Sequence, residues 1–398
     1  MISQSQFSEA TFIGGHTLIG GLGRVFHCNH YNSFLQMTVQ AVQYLDSLMP
    51  EQLLTHTVTP LIQHLVQQGY TIPQLIEEFS LCGFGILQQK NLSTWETPSS
   101  HYGQSITLLG KPSKSCFFTS GYIQGMTGHK VLETQCQQEG ASCDTFKVFD
   151  EPVHVSSYLT LEFPLSTNVP KRFEFQGCQG FKTRVDEEQI IHTVRKLPLY
   201  GSEETGLIDA FGVVLTNHFA DYYNRISYET YFAMRKAGLP EEESKEAFVQ
   251  AGHICAFNTF GGIMSSPEWH ALVTPLCDTR EDWLHAMIAV MNTLGWGIFR
   301  VEKIDIEKEL IVRVYNSYEG VGFRRMYSPI EDRNISFLGM GAVLGLVHLL
   351  WKVDIRQRPA LTQKFYVDQF NHPENSYSVE QSHAIAAGDE YDRFIVFK

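Results

Sequence analysis

Cys116, Glu133, Cys136 and Cys143 fall in a C-x16-E-x2-C-x6-C pattern. Thiolates and a carboxylate are donor types that a tetrahedral zinc takes, and one close pair joined by distant ligands is a common way to assemble such a site. Glu133 follows the apolar Val131 and Leu132, where an unpaired carboxylate would be costly to bury. Four protein donors would close the shell, so the expected ion is a structural zinc rather than one that activates water. The plainer alternative is three buried cysteines packed as small apolar residues.

A second recurring chemistry is the triplet Asn29-His30-Tyr31, met again as Asn217-His218-Phe219 and followed by Asp221, Tyr222 and Tyr223. Histidine titrates near neutrality, ligates metals and moves protons. His30 and His218 are therefore candidate catalytic residues of a shared site, with a second metal such as iron as one option. The alternative is a helix-start motif in which Asn caps and His bonds to backbone. Phe84 and Trp296, each flanked by glycines, are candidate ligand-binding residues together with Asn29 and Asn217; rings beside glycines offer stacking area, although core packing is the commoner fate. Gly20-Gly-Leu-Gly23 and Gly339-Met-Gly341 miss the dinucleotide-binding spacing, and neither a nucleophile elbow nor His-Glu-x-x-His occurs. His253, Cys255 and His270 read as structural, with His253 and Cys255 offering ligands if a new site was built.

The elements that must position these residues come in two sets. Val25–Tyr31 aligns without gaps on Val213–Phe219, Leu81–Leu87 on Thr293–Phe299, Cys116–Gly125 on Ser336–Gly345, and Glu133–Cys136 on Glu380–His383, at offsets growing from 188 through 212 and 220 to 247. Ordered matches with growing offsets predict a duplication whose second copy gained loop residues. The expected division is a first domain over 1–150, a packed connector over 151–205 and a degenerate second copy over 206–398. Apolar spacing predicts helices over 33–49 and 57–68, and Thr71 with Pro73 predicts the start of a helix ending near Leu81, stopped by Gly83 and Gly85. Strands are expected over 86–93, 153–163, 172–175, 297–301 and 310–315. The expected class is α+β, as two fused pseudo-symmetric copies of a small domain of helices and antiparallel sheet.

The run Cys116-Phe-Phe-Thr-Ser-Gly121-Tyr-Ile-Gln-Gly125, then Glu133-x-x-Cys136, then Gly140-x-x-Cys143-x-x-Phe146, resembles the 4-vinyl reductase (hydrocarbon-binding) domain family, clearly over about 20–150 and faintly over 206–398. The resemblance implies an apolar pocket above the zinc site and dimer-like packing of the two copies; it implies no reaction. In the second copy Ser336, Glu380, His383 and Tyr391 would stand at the ligand positions, a set unsuited to zinc. Glu380 and His383 offer either a metal or acid–base pair, or a polar network filling the vacated space.

Composition bounds the rest. The 398 residues carry 30 Lys and Arg against 43 Asp and Glu, a net charge of −13, which argues against a nucleic-acid partner because that affinity rests on clustered cations. Met1–Gly15 lacks a secretory pattern, and the apolar run 337–351 is too short for a membrane span, so a cytoplasmic protein is expected. Eight cysteines in a reducing compartment point to metal or chemistry rather than disulfides. The expected function is binding of an apolar or aromatic small molecule, with a homodimer as one option for assembly. The competing readings are a metal-dependent, oxidoreductase-like enzyme of natural-product or tetrapyrrole metabolism that uses the Asn-His motifs, and a scaffold.

Overall fold

The computed structural model describes residues 10–46, 49–105, 114, 116–154, 163–178, 181–305, 307–330, 334–370 and 377–398. The first half runs β1 (Thr11–Ile13), β2 (His16–Ile19), β3 (Leu22–Cys28), α1 (Asn29–Ala41), α2 (Met49–Gln67), α3 (Ile72–Leu81), β4 (Gln88–Asn91), β5 (Thr94–Thr97), α4 (His101–Ser105), α5 (Phe117–Thr127), β6 (His129–Gln135) and β7 (Asp144–Pro152). After α6 (Glu187–Val194), the second half repeats this order as β8 (Ile208–Ala210), β9 (Val213–Phe219), α7 (Ala220–Lys236) and α8 (Glu241–Cys255). It then inserts a π-helical turn (Ala256–Phe260), α9 (Gly261–Ser265) and α10 (Pro267–Leu272) before resuming with α11 (Arg280–Met291), β10 (Ile298–Asp305), β11 (Glu309–Tyr315), α12 (Tyr318–Met326) and α13 (Phe337–Val347). A second π-helical turn (His348–Lys352) and α14 (Gln363–Phe370) precede β12 (Ser378–His383) and β13 (Asp392–Phe397). The class is α+β in two pseudo-symmetric copies. Among the described residues no helix is long and apolar enough to cross a membrane.

Local sequence chemistry sets the boundaries. Thr71 and Gln74 form a capping box at the start of α3, satisfying backbone donors that a helix start leaves open. The predicted strand over 172–175 is instead a turn, and most of the one over 153–163 lies outside the described residues. The segment before β8 packs on the second half: Arg300 pairs with Glu187 at 2.8 Å, and His285 lies between Phe173 and Phe181.

Each half contributes a four-stranded antiparallel sheet, β4-β5-β7-β6 and β10-β11-β13-β12, while the third sheet, β1-β2-β3-β9-β8, joins the halves. In it β3 pairs antiparallel with β9 in the register Arg24↔Phe219, Val25↔His218, Phe26↔Asn217, His27↔Thr216 and Cys28↔Leu215. Its midpoint, Phe26 opposite Asn217, is a pseudo-two-fold centre. The turn after each third helix closes on the partner strand: a Cβ on Gly83 would lie 2.6 Å from the Leu215 carbonyl oxygen, and one on Gly295 would lie 2.2 Å from that of Arg24. Both glycines adopt left-handed φ values, +84° and +83°, which disfavour any side chain.

This symmetry corrects the sequence alignment. The equivalent of His218 is His27, since both are the penultimate residues of their strands, whereas His30 is the second residue of α1. The ungapped match on Asn-His was displaced by three residues from the structural equivalence.

Candidate functional site

The chain reversals around β6 and β7 bring Cys116, Glu133, Cys136 and Asp144 together, with one donor atom from each lying within 4.8 Å of every other. Cys116 caps α5, Glu133 points inward from β6, Cys136 ends that strand and Asp144 opens β7. Cys143, the fourth residue expected from sequence, is not in the cluster. It lies one residue before β7 with its sulfur 3.7 Å from Thr145 Oγ1, and alternation along the strand turns Asp144 inward in its place. Asp144 Oδ2 accepts from Cys116 Sγ at 3.2 Å, and Oδ1 from the Gln137 amide at 2.7 Å. Glu133 Oε2 accepts from the Cys116 amide at 3.1 Å, while Oε1 is buried with no partner among the described residues.

Burial, with Cys136 and Asp144 close by, pushes the Glu133 carboxyl up to about 9, and burial also raises the Cys116 thiol. Four buried acidic donors converge here, one with an open lone pair. The donor set fits a divalent cation that takes sulfur and oxygen ligands; these residues could hold a metal ion.

The second half keeps this geometry with only one of the four acidic groups. Its equivalents are Ser336, Gln381, Ala384 and Asp392. The Ser336 amide donates to Gln381 Oε1 at 2.9 Å, as Cys116 does to Glu133, and Ser336 Oγ donates to Asp392 Oδ2 at 2.9 Å, as the Cys116 thiol does to Asp144. Gln381 Nε2 donates to Ser336 Oγ at 3.1 Å and so closes a hydrogen-bonded network in which Asp392 is the one acid. The residues expected there, Glu380, His383 and Tyr391, are one position out of register. A one-residue slip in a strand moves a side chain to the other face; Glu380 is exposed, and His383 stacks on Tyr391 at 5.3 Å.

The pseudo-dyad crosses the two strand histidines between halves. His27 stacks on Trp296 of the second half at 5.1 Å and on Tyr31 at 4.2 Å, with Nε2 3.5 Å from the Tyr318 hydroxyl. His218 meets Phe84 of the first half edge-on at 4.9 Å, with Nε2 3.0 Å from the Tyr102 hydroxyl. The Tyr223 ring centroid lies 4.6 Å from both imidazoles. Burial holds the pKa of both histidines well below the usual imidazole range, so both are neutral.

The remaining sequence candidates separate. Asn29 Oδ1 accepts from the Val214 amide at 3.2 Å and ties α1 to β9. Asn217 is buried opposite Phe26. Phe84 packs on Phe79 and Phe118, and Trp296 Nε1 donates to the Phe26 carbonyl at 3.0 Å. Trp296 also borders a void of about 10 Å³ beside Tyr318 and Glu319, roughly the size of one water. His30 alone among the Asn-His candidates faces a large space, so the structure does not bring it together with His218.

That space is a cavity of about 860 Å³ between α1, the β8–β9 turn, the end of α8, the first π-helical turn, α9 and α14. Phe34, Ile254, Phe257 and Leu361 give it apolar wall, and His30, Gln250, Asn258 and Tyr366 give it polar points. Burial lowers the His30 pKa. Over the metal cluster, where the resemblance implies a pocket, the side chains of Phe84, Tyr102, Phe118 and Tyr122 are instead packed together. Sequence patterning missed the cavity because part of its wall, α9 and α14, comes from segments outside the repeat.

No family model matches the chain, and no curated protein matches it. Among solved structures, the chain is similar, at 10% identity and a TM-score of 0.39 over 54% of its length and 90% of the other, to the phenol-responsive sensory domain of the transcription activator PoxR with phenol.

Proposed function

We propose that this chain binds an apolar or aromatic small molecule in the 860 Å³ cavity, and that a zinc ion in the first half stabilises the fold that presents it. The observation that carries this reading is an asymmetry. Most elements of the two halves correspond, yet among the described residues the π-helical turn at 256–260, α9 and α14 occur in the second half alone, and together with α1 they wall a space of ligand size. π-helical turns inside helices recur at functional sites because they redirect side chains out of the regular ladder. Here the turn supplies Phe257 and Asn258 to the wall. The units carrying this arrangement are residues 1–150, the connector 151–205 and residues 206–398.

Zinc supports the reading through the donor set. Cys116, Cys136, Glu133 and Asp144 would pin the start of α5 to the β6–β7 hairpin, and a closed four-donor shell holds structure without activating water. The ligand site itself is tested with N-phenyl-1-naphthylamine, a neutral apolar dye that brightens on leaving water. The dye is expected to bind with about one site per chain, and Asn258→Trp, which projects a large ring from the π-helical turn into the cavity, to weaken binding without lowering the thermal unfolding midpoint. Equal binding by wild type and Asn258→Trp overturns the assignment.

A further inference from the structure

We propose that a narrow cleft beside the open cavity seats an unbranched alkyl tail, and that Phe211 sets the length of tail accepted; this rests on the open cavity being the ligand site. The cleft, about 80 Å³, and the open cavity share three wall residues, Phe211, Ser266 and Glu268. Beyond that boundary the cleft is walled mainly by aliphatic side chains, Leu197, Ile263, Val273, Leu276 and Leu294 among them. Its one charged wall residue is Glu268, at the shared boundary. With Gln189, Thr193, Thr259 and Trp269 as its polar side chains away from the boundary, the mainly aliphatic cleft suits an apolar extension, and a polar head finds its partners in the open cavity. One water occupies roughly 10–15 Å³ in the same measure. The cleft thus holds about five to eight water-sized units, enough for a short chain of methylenes and too little for a second ring system.

Phe211 holds an unusual position on the boundary. It lies in the two-residue turn between β8 and β9 with φ +55°, followed by Gly212 at +74°. Such turns favour Asn or Gly, because a bulky side chain in the left-handed region is strained. The turn is also pinned from outside: Gly262 of α9 lies so close that a Cβ there would come within 2.1 Å of the Phe211 carbonyl oxygen. A large aromatic ring is thus held at the junction of the two spaces by a backbone that does not favour it. Strain of this kind is kept where a ligand clamp needs it.

The test uses 4-n-alkylacetophenones, from methyl to octyl, displacing bound N-phenyl-1-naphthylamine. In the wild type, affinity is expected to rise about fourfold per methylene, the free energy of burying one CH₂, and then to stop at a fixed length. Phe211→Ala moves the stop to longer tails, and Leu276→Phe, which adds bulk to the cleft wall, moves it to shorter ones. Leu276→Phe, at a residue that lines the cleft and not the open cavity, is expected to bind the methyl compound within about twofold of wild type, and both variants to unfold as cooperatively. A stop at the same length in all three proteins, or an affinity independent of tail length, overturns the tail site and leaves the open cavity standing. Failure of every compound to displace the dye from the wild type overturns both.

Discussion

Phe26 faces Asn217 at the centre of the β3–β9 pair, and the two make equivalent contacts: the Phe26 amide donates to the Leu294 carbonyl at 3.0 Å, and the Asn217 amide to that of Cys82 at 2.9 Å. Each half thereby closes its β-strand on the helix-ending turn of the other. The same crossing places His27 on Trp296 and His218 on Phe84, so the buried aromatic layer belongs to both halves at once.

Removing either partner of such a contact loses buried ring area and leaves a void. His27→Ala and Trp296→Ala are each expected to cost about 3 kcal/mol in urea unfolding. The double variant should cost about 1 kcal/mol less than the sum, the coupling typical of packed ring pairs. Strict additivity would mean that the rings do not support each other across the dyad.

Much of this was legible from residue types. The duplication, the α3 capping box, the buried Gly-rich helices and three of the four clustered donors, Cys116, Glu133 and Cys136, all stand in the sequence. What was not legible was register. His218 matched His30 by letter but His27 by position, and Asp144 displaced Cys143 because a strand presents alternate residues to its two faces. Ser336 was legible as the counterpart of Cys116; Gln381 and Ala384 were hidden by a one-residue slip in the alignment, and Asp392 because its counterpart Asp144 was not recognised. The cavity was hidden for another reason, since α9 and α14, which complete its wall, lie outside the repeat.

The hydrogen-bonded network of the second half offers a template for a metal-free first half. Cys116→Ser, Glu133→Gln and Cys136→Ala, made together, copy Ser336, Gln381 and Ala384 while keeping Asp144 as the counterpart of Asp392. Wild type is expected to carry about one zinc per chain by elemental analysis and to lose several degrees of its unfolding midpoint in a chelator. The triple variant should carry none and be indifferent to the chelator. A wild-type protein without zinc, equally indifferent, would remove the structural ion.

His285 gives a pH test. It is buried between Phe173 and Phe181, its Nε2 has no partner among the described residues, and burial lowers its pKa to about 3. A histidine that cannot be protonated in the folded state binds protons only when unfolded, so its contribution to stability falls as pH drops below about 6.5. His285→Phe removes that loss. Relative to wild type, the variant is expected to gain about 1.4 kcal/mol per pH unit below about 6.5, and so about 2 kcal/mol between pH 6.5 and 5. Denaturant midpoints at pH 8, 6.5 and 5 read the difference, and a constant gap between the two proteins would show that His285 is protonated in the fold.

Glu302 gives the same sign in a more acidic window. Arg313 and Arg393 stand directly opposite each other on β11 and β13, a placement that repels when nothing lies between like charges. Glu302 bridges them, accepting from Arg313 Nε at 2.6 Å and from the two ends of the Arg393 fork at 2.9 and 3.0 Å. These hydrogen bonds, outweighing the burial that opposes them, hold its pKa at about 2. A carboxylate with a depressed folded pKa stabilises the protein above its unfolded value, about 4.3, and loses that contribution as pH falls toward 2. Glu302→Gln is therefore expected to cost about 1–2 kcal/mol at pH 7, after allowance for solvent screening, and progressively less at pH 4 and 3. A cost unchanged from pH 7 to 3 would assign the effect to packing rather than to the charge between the two arginines.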